Sequence, residues 1–75
     1  METLINVLPD LDTLFDVESL YTFDGDEIVI FVDGHDNYFF QFWNAETEEK
    51  SDITPIKNND VNRFVEKLYR KGFSF

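Results

Sequence analysis

Two turn signals stand close together in the first half of this chain, and they restrict its fold more than any other feature. Asp24-Gly25-Asp26 and Asp33-Gly34-His35-Asp36-Asn37 flank the run Glu27–Val32, which is rich in β-branched residues. Asp-Gly pairs favour tight turns, because Gly tolerates positive φ and Asp bonds to nearby backbone. A run this short between turns is too brief for a helix and suits a strand. Ser19–Phe23 before it and Tyr38–Trp43 after it are also rich in β-formers. Successive tight turns between such runs predict a three-stranded antiparallel meander.

The flanks follow a different period. Leu4, Ile5, Leu8, Leu11, Leu14 and Phe15 recur at helical spacing. Pro9 disfavours helix at the residue before it and suits a first helical position. The options are a short helical turn before Pro9 or one helix over roughly residues 9–17. In the latter, Asp10 and Asp12 would sit in the first turn, where the helix dipole favours acids. Residues 44–60 are polar, with Pro55 among them, and Ile53 and Ile56 either add edge structure or pack back onto the core. A second helix should start at Asn59 or Asp60, both good N-caps. Val61, Phe64, Val65, Leu68 and Tyr69 form its apolar stripe, and Gly72 ends it. Phe73 and Phe75 form an apolar tail. The expected fold is α+β: a three-stranded antiparallel β-meander with a short N-terminal helix and a C-terminal amphipathic helix, in one domain over residues 1–75.

Alternation puts Ile28, Ile30 and Val32 on one sheet face and Val29 and Phe31 on the other. Tyr38, Phe40 and Phe42 share a face, and Phe39 and Trp43 point away from it. Both faces are apolar and both need cover. Either one helix covers each face, or both helices cover one. In the second arrangement the other face would meet a partner or a second copy of the chain, giving a homodimer.

A chain of 75 residues folds around a small core, burying only about 60% of its unfolded surface. It has no Cys, so no disulfide or thiolate metal site can staple it. Nine Phe, three Tyr and one Trp supply the apolar area instead. The N-terminus lacks the basic and apolar regions of a signal peptide, and no apolar run reaches membrane-spanning length. A cytoplasmic location is expected, the bacterial host's cytoplasm if the chain is phage-encoded.

Catalysis finds little footing. The lone His35 lies in a turn between acids, and Ser19, Ser51 and Ser74 are poorly placed to join it in a triad. The oxygen-rich turns lack the register of a calcium loop and fall at opposite ends of a meander, so they serve as ordinary turn chemistry. Neither a phosphate loop nor a dinucleotide fingerprint is present. No enzymatic activity, metal or cofactor is expected.

Charge is the most uneven property. The net charge is −10, and residues 1–49 hold thirteen Asp or Glu with no Lys or Arg. All six bases (Lys50, Lys57, Arg63, Lys67, Arg70 and Lys71) fall in residues 50–75. Such a body repels nucleic acid and anionic membranes and attracts basic surfaces. Acidity also keeps a Phe-rich chain soluble, but solubility needs net charge, not charge of a single sign. The meander gathers Asp24, Asp26 and Glu27 at one end of the sheet, with Glu46, Glu48 and Glu49 close by. Asp16, Glu18, Asp33 and Asp36 gather at the other end. Carboxylates so spread can imitate the phosphates of a duplex and engage Lys and Arg of a nucleic-acid-binding protein. Arg63, Lys67, Arg70 and Lys71 complement the dipole at the helix C-terminus. A rival surface is aromatic: Tyr21, Phe39, Trp43, Phe73 and Phe75, which would serve as interface anchors or as ordinary core.

The acid-only stretch from Glu2 to Glu49, the meander with its Asp24-Gly25-Asp26 and Asp33-Gly34-His35-Asp36-Asn37 turns, and the helix Val61–Tyr69 give the chain a general likeness. It resembles the small acidic inhibitors that phages direct against bacterial nucleic-acid enzymes, the DNA-mimic anti-CRISPR and anti-restriction proteins. The resemblance implies a stoichiometric inhibitor that blocks a DNA- or RNA-binding groove and so evades host defence. The expected partner is therefore a basic protein, a nucleic-acid-handling enzyme. The alternative is an adaptor, immunity-type or oligomeric protein that works through the aromatic face.

Overall fold

The computed structural model describes residues 14–75. They form four strands, β1 (Phe15–Tyr21), β2 (Glu27–Val32), β3 (Tyr38–Trp43) and β4 (Thr54–Pro55). A 3-10 turn at Lys57–Asn59 leads into helix α1 (Val61–Arg70). The strands lie in one antiparallel sheet in chain order, β1-β2-β3-β4. The class is α+β and the core of the sheet is the expected meander, with β2 and β3 at the expected bounds.

Each turn closes through its own polar residues. Between β1 and β2, Gly25 donates its N–H to the Thr22 carbonyl at 3.0 Å, and Gly25 takes a φ of 94°. That is a three-residue loop ended by a left-handed Gly, a conformation any Cβ would strain. Between β2 and β3, Asp33 Oδ1 accepts from the N–H groups of His35 and Asn37 at 2.8 and 3.0 Å. Here the left-handed residue is Asp36, with φ 62°, and not Gly34.

The first strand begins at Phe15, not at Ser19 as its composition suggested. Phe15–Val17 is therefore strand and Leu14 lies in no helix, which corrects the expected helix over residues 9–17 at its C-terminal end; its residues 9–13 and the alternative turn before Pro9 lie outside the described residues. The register slips between Asp16 and Glu18, so Val17 is an extra residue in a β-bulge. A bulge breaks strict alternation, so this end of the strand lacks the period-two signal.

The sheet also gains a strand. After β3 the chain reverses over residues 44–49, where Asn44 accepts from the Glu46 and Thr47 N–H groups through its side chain, at 2.9 Å each. Lys50 then bridges to Trp43, and Thr54–Pro55 pairs with Phe40 and Phe39. Proline is tolerated there because β4 is an edge strand. The turn chemistry lay in the polar stretch, but a strand of two residues carries no periodic signal.

Helix α1 is capped at both ends. The Asp60 side chain accepts the Arg63 N–H at 3.1 Å. At the other end Phe73 N–H reaches the Leu68 carbonyl at 2.9 Å and Gly72 N–H the Tyr69 carbonyl at 3.1 Å, with Gly72 at φ 98°. This paired motif brings Phe73 against Leu68, as such caps do. Both belong to the core, with Leu20, Ile28, Ile30 and Ile56. Phe40 and Phe64 stack with ring centroids 4.7 Å apart, and Phe42 meets Phe73 edge-on at 6.4 Å. Thus α1 and the segment after it cover the Ile28–Ile30 face of the sheet. The pairs Tyr21–Glu27, Glu27–Trp43 and Phe31–Phe39 define the opposite face.

Candidate functional site

The three loops of the sheet determine where the acids gather. The β1–β2 loop and the loop after β3 lie at the same end, and one bond ties them: Asp26 Oδ1 accepts the Ala45 N–H at 2.9 Å. Around this tie, Asp24, Asp26 and Glu46 line a shallow depression with Asn44 and Ala45. These three carboxylates are the part of the expected cluster that converges. Glu27 sits within β2, half-buried opposite Tyr21 and Trp43, on the sheet face away from α1. Glu48 and Glu49 are exposed on the same loop but do not line the depression.

The cluster expected at the other end draws on the β2–β3 turn and on β1. Asp33 and Asp36 share the β2–β3 turn. The Asp33 carboxylate also accepts from the Asn37 side-chain amide at 3.2 Å. The Asn37 N–H bond, opposed by partial desolvation and aided by the His35 N–H, the Asn37 amide and the His35 charge, holds its pKa below the ordinary 3.8. Asp33 is thus a turn-former as well as a charge. Asp16 and Glu18 flank the bulge, opposite Phe31 and Ile30. They line the outer strand, whose Phe15 end pairs with Val32 just before Asp33.

The aromatic set divides. Phe39 and Phe73 are buried, at 3% and 8% exposure, so in this fold they serve packing and not an interface. Trp43 is half-buried, while Tyr21 and Phe75 are exposed. Phe75 meets Tyr69 edge-to-face at 5.9 Å.

Phe23 is the residue that sequence reasoning missed. Placed by composition in the first strand, it instead occupies the tip of the β1–β2 loop, fully exposed. It lines a second depression with Asp24, Asp26, Phe42, Lys71 and Phe73. The available signal was its position just before Asp24-Gly25, where a loop residue is as consistent as a strand end. A fully exposed Phe beside carboxylates has the anatomy of an interface anchor with a polar rim.

Lys71 borders the Phe23 depression, while three other cations lie together elsewhere. Lys57, Arg63 and Lys67 line a groove between the 3-10 turn and α1, floored by Ile56 and Phe64. Among the described residues, no three His, Asp or Glu side chains come together in a way that could hold a metal ion. Among them also, no helix is long and apolar enough to cross a membrane. No protein family, curated protein or solved structure matches this chain.

Proposed function

We propose that this protein is a non-catalytic, acidic inhibitor that occupies the cationic nucleic-acid groove of a DNA- or RNA-handling enzyme, in the manner of the small phage proteins it resembles. The reading is supported above all by the convergence of Asp24, Asp26 and Glu46 on one depression, from loops well separated in sequence. Phe23 stands beside them, exposed. Carboxylates would pair with Lys and Arg that normally hold phosphates, and Phe23 would fill an apolar recess among them. The net charge of −10 would steer encounter with such a groove and make it salt-sensitive.

The test is capture from a bacterial lysate at low salt, with parallel elution by high salt and by duplex DNA. Release of a nucleic-acid enzyme by DNA supports the reading. The Asp24→Asn, Glu46→Gln double variant should elute at lower salt than the parent. Equal salt resistance of the two would sink it.

An aromatic interface is the second reading, favoured by the exposed pair Tyr69 and Phe75, with Tyr21 exposed on the other sheet face. It predicts a complex that survives both high salt and DNA and is lost on Phe75→Ser.

A further inference from the structure

We propose that the outer edge of β1 takes up an extended basic segment of the partner as an added strand. The inference rests on the partner being basic, as argued above. β1 is the outermost strand of the sheet, and Tyr21 already shows that its outer side can pair. The Tyr21 N–H and C=O bond Ser74 at 2.7 and 2.9 Å. In an antiparallel pair the outward groups recur at every second residue, so Ser19 presents its N–H and C=O on the same side as Tyr21. Among the described residues nothing but Ser74 bridges to that edge.

The side chains choose the occupant. Phe15 and Val17 are exposed at 63% and 45%, and Asp16 and Glu18 are exposed between and beside them. Natural edges are commonly guarded by charges and bulges against pairing with copies of themselves. Here Asp16, Glu18 and the Val17 bulge have that effect, since a second copy would set carboxylates beside carboxylates at a net −10 per chain. A strand in which Lys or Arg alternates with apolar residues meets no such barrier. It would satisfy the Ser19 backbone and set its cations on one sheet face, against Asp16 or against Glu18, which the bulge places on opposite faces. The bulge confines regular pairing to a few residues, so the segment should be short.

Nitrogen-15-labelled full-length protein titrated with a capped peptide of alternating Lys and Val tests this. Amide shifts should concentrate at Val17, Glu18 and Ser19, and the Ser19 amide should exchange several-fold more slowly. Two control peptides separate strand addition from plain charge attraction. One replaces Lys with Glu and should not bind. The other keeps every Lys but carries N-methyl groups at alternate residues, removing the donors needed for pairing; it should lose the Ser19 protection. If the methylated peptide reproduces the parent's map, or the shifts centre on Asp24 and Glu46, edge pairing is wrong while the acidic-inhibitor reading stands. If the edge pairs with the peptide but the captured enzyme ignores salt and DNA, the opposite holds. Glu18→Lys reverses a charge at an exposed position and should weaken the peptide several-fold without unfolding the chain.

Discussion

The carboxylate of Asp26 and the backbone N–H of Ala45, 2.9 Å apart, join two loops that lie nineteen positions apart in the chain. The same carboxylate that holds this end of the molecule together also lines its acidic depression. Structure and charge are therefore separable only by choosing which acid to change. Asp26→Ala leaves a half-buried N–H without its partner and should destabilise by about 1–3 kcal/mol. Asp24→Asn changes an exposed loop charge and should stay within about 0.5 kcal/mol. Urea unfolding of the two variants measures the contrast.

Phe23 and Phe73 predict opposite outcomes for the same kind of substitution. Phe73 packs on Leu68 in the core and closes the helix cap. Phe73→Ala should cost about 3–5 kcal/mol, most of the stability of a domain this small. Phe23→Ser exposes nothing new and should leave the unfolding midpoint unchanged while weakening capture of the partner. A Phe23→Ser variant that binds as the parent does would remove this residue from the interface.

Acid should loosen the β2–β3 turn before it affects the sheet. The pKa of Asp33 is lower in the fold than in the unfolded chain, so folding favours its ionised form. Its contribution is complete above the ordinary value of 3.8 and is lost as pH falls through the lower folded value. His35 and Asn37 amide signals should report that loss. Asp33→Asn retains an acceptor for both N–H groups and should abolish the pH response at little cost to the turn. Asp33→Ala should disorder the turn at every pH.

Glu48 holds a left-handed conformation, φ 61°, without the freedom of Gly. Replacing it with Gly relieves backbone strain of about 1–2 kcal/mol, partly offset by the entropy of the more flexible unfolded chain. A net gain of about 0.5 kcal/mol in thermal or urea unfolding is expected. Gly72→Ala runs the other way, losing about 1 kcal/mol because φ 98° at the helix end suits only Gly.

The parts of this protein that read directly from its residues are those with a local cause. Asp24-Gly25, the β-branched run Glu27–Val32, the Asp60 cap and the stop at Gly72 each act within a few positions. The turns, two strands and α1 followed from them. Of the stripe Val61, Phe64, Val65, Leu68 and Tyr69, the first four pack on the core as expected, while Tyr69 is exposed. What stayed hidden depended on contacts between distant positions. Val17 becomes a bulge only because β2 fixes the register on either side of it. Thr54–Pro55 becomes a strand only because β3 offers an edge.

The candidate site divides along the same line. The one-sided charge of residues 1–49 is a property of the sequence alone, since summed charge needs no fold. Which acids meet was decided by tertiary structure. Antiparallel pairing returns the loop after β3 to the end that carries Asp24 and Asp26, and the Asp26–Ala45 bond fixes Glu46 beside them. Burial, too, is a collective outcome. Phe73 and Phe23 are chemically identical, yet packing encloses the first and turn geometry leaves the second in solvent.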